Sequence, residues 1–485
     1  MNRRMIFRTI GQILIAEAML MLPSVVVGLI YRERATLAFL PAIGLLALFG
    51  TAGLLVKPKT KLIFAKEGYV IVAAAWILLS VFGAIPFRIA GGFGNYWNCF
   101  FEIASGFSTT GASILTNIDI LPKCILFWRS FSHWVGGMGV LVFILAVMPK
   151  TEDRALHLMR AEVPGPVVGK LVPSIRRTAN ILYGVYTGMT ILLVILLMIG
   201  GMPLYDSLCY AFGTAGTGGF GITNAGVSAY GSAYIEVVIA IFMLLFGVNF
   251  NLYYFILIRK VKDAISSEEL HVYLGIIGAS VLAIAVNTYH LYQNIGETLR
   301  YSFFQVTTII STTGFATADF ANDWPAFSQM ILVLLMFSGA CAGSTGGGMK
   351  VSRLILLVKT GIQEIRKTIH PRAVPVVHLE KKPASQPLLR TTLVFFAIYM
   401  FCLTASTLLL SLEEPDLVTN FTASLACLSN IGPGLGKVGP AGNYAFYSSP
   451  AKIMLALEML MGRLELFPIF ILFSAPLYEL KNKVA

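Results

Sequence analysis

The chain has 485 residues, of which 56% are hydrophobic and only 12% charged. That balance excludes a soluble protein with one core, and it excludes a disordered chain. The net charge of +12 needs no nucleic acid to explain it, because the basic residues are placed as membrane topology places them.

Apolar runs of ~20 residues read as membrane-spanning helices. Ten follow one another at about 10–30, 36–56, 68–90, 125–149, 179–201, 233–258, 270–290, 327–358, 391–411 and 452–475. The first contains Glu17 and Pro23, and the eighth is interrupted by glycines. Between later spans lie four shorter stretches that look like copies of one another. They are FFEIASGFSTTGAS (Phe100 to Ser113), LCYAFGTAGTGGFG (Leu208 to Gly221), SFFQVTTIISTTGFAT (Ser302 to Thr317) and FTASLACLSNIGPG (Phe421 to Gly434). Their aligned glycines, Gly111, Gly219, Gly314 and Gly432, are spaced by 108, 95 and 118 residues.

Each copy is too short to cross a bilayer. After two leading helices the order becomes helix, half-helix, glycine turn, helix, four times. The expected fold is an all-α polytopic membrane protein, with four fused helix–pore loop–helix repeats around a pseudo-fourfold pore. The leading helices occupy 1–64, and the repeats 65–160, 161–265, 266–375 and 376–485, the third carrying an intramembrane glycine-rich loop. The half-helices are expected to begin near Asn98, Asp206, Glu297 and Asp416, where side-chain oxygens suit free N–H groups and negative charge suits the dipole.

Irregular backbone at membrane depth is tolerated where it lines a watery cavity or is buried in protein. Four loops whose carbonyls face one axis can replace the water around a cation. Glycine also serves close helix packing, so one such segment alone argues packing. Four at one position of a recurring unit argue a filter. The copies are unequal: the first and third carry Ser108 to Gly111 and Ser311 to Gly314, both Ser-Thr-Thr-Gly, whereas the second has Thr217-Gly218-Gly219 and the fourth Asn430-Ile431-Gly432.

Ten spans put both termini on one side. Placing that side in the cytoplasm puts 27 of the 36 Lys and Arg there, in agreement with the positive-inside rule. Asp119, Asp206, Asp319, Asp323, Glu413, Glu414 and Asp416 fall on the opposite side, where an acidic mouth concentrates cations. The six cysteines show no CxxC pair and read as small buried hydrophobes. The six histidines lack metal-ligand spacing. A polytopic enzyme needs acid, base, nucleophile or metal ligands gathered at one depth, and no such cluster is visible, so no catalytic residue is expected.

Further motifs are WRSFSHWVGGMG (Trp128 to Gly139), RAEVPGP (Arg160 to Pro166), GSTGGGMKVSR (Gly343 to Arg353) and MGRLELFP (Met461 to Pro468). With the four loops, these make the chain resemble the TrkH/TrkG branch of the Trk/Ktr/HKT superfamily of cation transporters over nearly its whole length. The two leading helices favour the TrkH type over the shorter KtrB type. The resemblance implies potassium uptake into a bacterial cell by a homodimer in the cytoplasmic (inner) membrane, each subunit with its own pore. It also implies gating by a TrkA-like cytoplasmic nucleotide-binding partner, which would hold the nucleotide; no organic cofactor is expected on this chain.

The expected filter comprises Thr109, Thr110 and Gly111, Thr217, Gly218 and Gly219, Thr312, Thr313 and Gly314, and Asn430, Ile431 and Gly432, with the transported potassium held there. In plant relatives a serine in the first loop accompanies sodium preference; Gly111 stands here, which favours potassium, with rubidium also passing. The alternative is a sodium-selective or sodium-coupled relative. In the eighth span, Ser338 to Gly348 is too glycine-rich to remain a rigid helix. A nucleotide P-loop fails because Met349 stands where lysine is needed. A packing patch or a mobile loop remains, and the resemblance matches a gate at Gly343, Ser344, Thr345, Gly346, Gly347 and Gly348. Arg463, between Glu458 and Glu465, is either half of a structural ion pair, a side chain snorkelling to the surface, or a charge beside the ion path; the resemblance favours the last. Asn249 and Asn251 are open between lining a cavity and bonding between helices.

Overall fold

The computed structural model describes residues 2–58, 65–139, 175–372 and 376–474. It is an all-helical polytopic membrane protein; among the described residues the strands are a single short pair, β1 (His378–Leu379) and β2 (Lys382–Pro383). The motif Arg160 to Pro166, the basic residues Lys481 and Lys483 and the repeat boundaries at 64 and 160 lie outside the described residues, and 375 does too.

The leading helices, Arg3–Ile30 and Phe39–Leu55, form a hairpin. They approach closely at glycines: a Cβ on Gly11 would lie 2.7 Å from the Gly50 carbonyl oxygen, the kind of small-residue contact that replaces hydrophobic driving force between helices in lipid. Among the described residues, six helices are long and apolar enough to span a bilayer.

The remaining spans depart from continuous rods, and each departure has a cause. The expected span at 233–258 is two helices, Ala233–Phe246 and Phe250–Leu257, bent by 91°. The span at 327–358 is a helix Ala326–Ser338, an irregular loop, and the helix Val351–Ile369, whose second half is basic and exposed. The helix of the last span breaks after Arg463, where Glu465 and Leu466 both take positive φ, and helical backbone resumes at 467–474. In the first repeat, the helix Lys123–Gly137 ends at a run of glycines, and 140–149 lie outside the described residues.

Four half-helices of 12, 13, 16 and 13 residues, Tyr96–Phe107, Leu204–Gly216, Ile295–Ile310 and Leu417–Ser429, occupy the places read from the sequence. At about 1.5 Å per residue none can cross a ~30 Å hydrocarbon core. Three of them start two residues before the expected position. Asn95, not Asn98, caps the first, its side chain accepting from the Asn98 N–H; Pro203 precedes the second, with Asp206 in its first turn; Asn294 caps the third, with Glu297 following. Asp416 does cap the fourth, and the Thr419 hydroxyl and helix N–H groups hold its carboxyl below the usual range. Other acidic residues on this face also serve local structure: Glu414 pairs with Lys437 at 2.7 Å, and Asp119 accepts from Asn224 at 2.7 Å.

A candidate ion pathway

All four half-helices end in the same way. Thr109, Thr217, Thr312 and Asn430 take left-handed φ of 57°, 56°, 60° and 57°. The next residue then donates its N–H five residues back, Thr110 to Ser105, Gly218 to Gly213, Thr313 to Thr308 and Ile431 to Ala426, over 2.7–2.9 Å. This is the Schellman ending, which normally uses glycine at the left-handed position. Here threonine or asparagine holds it, a local strain of about 1–3 kcal/mol each. One residue later come Gly111, Gly219, Gly314 and Gly432, with φ of 80°, 74°, 90° and 94°.

The four glycines form a closed ring. A Cβ on Gly111 would lie 2.0 Å from the Gly218 carbonyl oxygen; one on Gly219, 2.1 Å from that of Thr313; one on Gly314, 2.0 Å from that of Ile431; and one on Gly432, 2.7 Å from that of Thr110. Each glycine thus abuts the carbonyl that precedes the next loop's glycine, in the order first, second, third, fourth, first. Only a residue without a Cβ fits so close to a neighbouring backbone. On one side of the ring is a cavity of about 380 Å³, lined by all four glycines together with Arg129 and Asn443.

Side chains behind the ring fix the loops. Ser108 bonds Thr110 at 2.8 Å, and Ser311 bonds Thr313 at 2.7 Å, the shared Ser-Thr-Thr motif making the same contact twice. The Thr217 hydroxyl donates to its neighbour's carbonyl. Asn430 donates to Thr110 at 3.0 Å, tying the fourth loop to the first. The Thr109 hydroxyl is buried and has no partner among the described residues. Two supports escaped the sequence reading. Glu102 and Arg129, 0% and 2% exposed, pair at 2.6 Å. Glu102 also accepts from the Ile114 N–H and the Ser113 hydroxyl of the first loop, while Arg129 donates to the Gly221 carbonyl of the second and lies over the Phe220 ring. The second is His133, which meets the Gly106 carbonyl at 2.8 Å and packs where a Gly218 side chain would otherwise be. A charged pair inside apolar segments was the available signal.

The glycine-rich segment lies on the other side of the ring. It is a loop with its stem closed by the Val351 N–H on the Ala340 carbonyl, and it docks into the 91° bend. The Phe250 N–H donates to Gly343, and the Cys341 N–H to Gly247. The Ser344 hydroxyl donates back to Cys341, and Thr345 donates to Phe246. The two irregular stretches therefore satisfy each other's free backbone groups, as burial requires. Asn249 caps the helix Phe250–Leu257, accepting from the Asn251 N–H, and faces Gly343. Gly346 and Gly347 press against the ends of the third and fourth half-helices, where side chains would lie 2.8 Å from the Ser311 oxygen and 2.5 Å from that of Ser429. The Gly347 N–H donates to Thr312 at 2.6 Å, and Gly348 takes φ of 73° against Gly339.

Arg463 is 6% exposed. Its guanidinium donates to the Thr345 carbonyl at 2.7 Å and to those of Gly136 at 2.6 Å and Gly137. The neighbouring acids are engaged elsewhere, Glu465 by Arg353 and Glu458 by the Ser424 hydroxyl. The arginine therefore links the last helix, the glycine loop and the helix of the first repeat at one point. Snorkelling to the surface does not describe it.

Four half-helices whose glycine turns meet in one ring, in a helical membrane fold, define a pore-loop membrane protein. The comparison with known sequences gives the particular family. The TrkH family model, described as "Cation transport protein", matches residues 38–275 and 270–481, and the chain belongs to that family of transporters rather than to an enzyme family. It is 35% identical to the Trk system potassium uptake protein TrkH of Salmonella typhimurium, over 98% of this chain and 99% of the relative. The Escherichia coli protein TrkG is 31% identical over 94% of each. The crystal structure of the potassium transporter TrkH from Vibrio parahaemolyticus superposes with a TM-score of 0.88 at 31% identity, covering 97% of this chain and 98% of that one.

Proposed function

We propose that this chain carries potassium, and rubidium with it, into a bacterial cell across the cytoplasmic membrane. The observation that carries the reading is the closed ring, in which each loop's glycine abuts a carbonyl of the next. Carbonyls held at fixed positions offer a dehydrated cation the oxygens that water otherwise supplies. The half-helix C-termini aim partial negative charge at the same point. Potassium uptake is what the relatives' names state, and glycine at all four ring positions suits the larger alkali cations.

The cavity of about 380 Å³ is then the outer vestibule, and the glycine loop is a plug on the cytoplasmic side. Arg463 adds a positive charge where the path is poorly hydrated, so a cation is repelled until loop and arginine move together. A cytoplasmic nucleotide-binding regulator of the TrkA kind, docked on the basic inner face of a homodimer, supplies the signal. Influx into liposomes bearing the purified chain, measured for potassium, rubidium and sodium in turn, tests the proposal. Potassium and rubidium well above sodium is expected. Sodium preference, or potassium flux that requires sodium, would replace it with the sodium-coupled reading.

A further inference from the structure

We propose that Glu269 is the latch of the glycine loop and that Glu380 sets the latch from the cytoplasmic side. This rests on the reading of the loop as a gate. Glu269 lies in the first turn of the helix Glu268–Tyr292 and is 5% exposed. One carboxylate oxygen accepts two backbone N–H groups, that of Ala342 at 2.8 Å and that of Ser352 at 3.0 Å. These are the two ends of the loop. A single charged acceptor therefore holds both legs of the stem, with bonds stronger than neutral ones.

The same residue is held from the other direction. The N–H of Glu269 donates to Glu380 at 3.1 Å, that of Glu268 at 3.2 Å, and the Ser267 hydroxyl at 2.7 Å. Glu380 thus caps the start of that helix from more than a hundred residues away, where a carboxylate is favoured by the dipole. It sits at the tip of the β1–β2 hairpin, where Glu380 and Lys381 both take positive φ, 50° and 62°. That is the backbone of a tight primed turn, normally built with glycine or asparagine. Lys359 bonds both Glu268 and the His378 carbonyl, fastening the hairpin to the helix Val351–Ile369 that follows the loop.

The chain of contacts runs from the hairpin, through the first turn of one helix, to both ends of the loop. From there it reaches the ring, through Gly347 on Thr312. A partner that pulls the hairpin displaces Glu380, releases the helix start, and withdraws the Glu269 carboxylate from the stem. Glu269 is a positioning residue: it touches the loop and not the ion.

The test uses the full chain in liposomes without a regulator, with Cys341 as the native probe. Cys341 is buried at the start of the loop; the other five cysteines are replaced by alanine. Glu269→Ala and Glu380→Ala are each expected to raise the rate of Cys341 labelling by a hydrophilic maleimide at least about tenfold, the scale of one lost hydrogen bond to a charged group, and to raise rubidium influx. Glu269→Gln keeps an accepting oxygen but loses the charge, so it is expected to fall between the parent and Glu269→Ala. A monodisperse Glu269→Ala protein with unchanged labelling overturns the latch. Glu269→Gln labelled as fast as Glu269→Ala overturns it too, since the accepting oxygen would then hold nothing. Glu380→Ala with unchanged labelling overturns the link to the hairpin. A variant lacking Gly343 to Gly347 separates the two readings. If its influx is unchanged the loop is no gate, while the labelling rates still decide whether Glu269 holds it.

Discussion

Replacing Gly111 with serine puts a Cβ 2.0 Å from the Gly218 carbonyl oxygen. Ordinary contact begins near 3.4 Å, so the two backbones must separate by about 1.4 Å. That exceeds by far the difference in radius between potassium and sodium, and it falls on one of the four ring carbonyls. The φ of 80° at Gly111 adds about 1–3 kcal/mol of backbone strain for any other residue. On the proposed reading, opening the ring at one corner removes a fixed oxygen from the ion and lets a water replace it. Losing about 1.4 kcal/mol of discrimination is a tenfold fall in the potassium-to-sodium ratio, and at least that is expected. Gly432 makes a graded control, because its Cβ would lie 2.7 Å from the Thr110 oxygen and needs only about half that movement. The assay is competitive rubidium and sodium influx into liposomes with matched amounts of folded protein. A folded Gly111→Ser protein whose ion ratio matches the parent, or a Gly432→Ser protein more impaired than Gly111→Ser, would refute the ring as the selective element.

Arg463→Ala removes the three-way link among the last helix, the loop and Gly136 with Gly137. Influx without a regulator is expected to rise, and combining it with loop shortening should give less than the product of the two effects, because both remove one obstruction; an unchanged or lower rate would make the arginine purely structural. Arg129→Ala leaves Glu102 buried and unpaired, for an expected loss of about 3–5 kcal/mol of stability. Glu102→Gln with Arg129→Met, which removes both charges and keeps an acceptor for the Ile114 N–H, should recover most of it. Thermal unfolding in detergent measures both, and a single variant as stable as the parent would show that the pair contributes nothing.

The sequence by itself determined the architecture. The half-helices were legible because a run of 12 to 16 apolar residues ending in Gly111, Gly219, Gly314 or Gly432 has too little length to span and a clear reason to turn. The fourfold count followed from their spacing. The glycine loop was legible as a break, since no helix survives so many glycines. Helix starts near Asn98 and Glu297 were legible only to within two residues, because several polar residues within one turn can cap and the choice depends on the backbone that precedes them.

Tertiary structure alone decided which groups meet. Gly432 stands more than three hundred residues from Thr110, and only closure of the ring brings that carbonyl to it. The break near Asn249 and the loop at Gly343 are single irregularities in sequence; in space each supplies the other's missing hydrogen bonds. Arg463 reads as a partner for Glu458 or Glu465 until Gly136 and Thr345, from two other repeats, converge on it. Local patterning specifies each element through its period and its caps. The pathway consists of contacts between elements far apart in the chain, and those depend on packing geometry that no local pattern encodes.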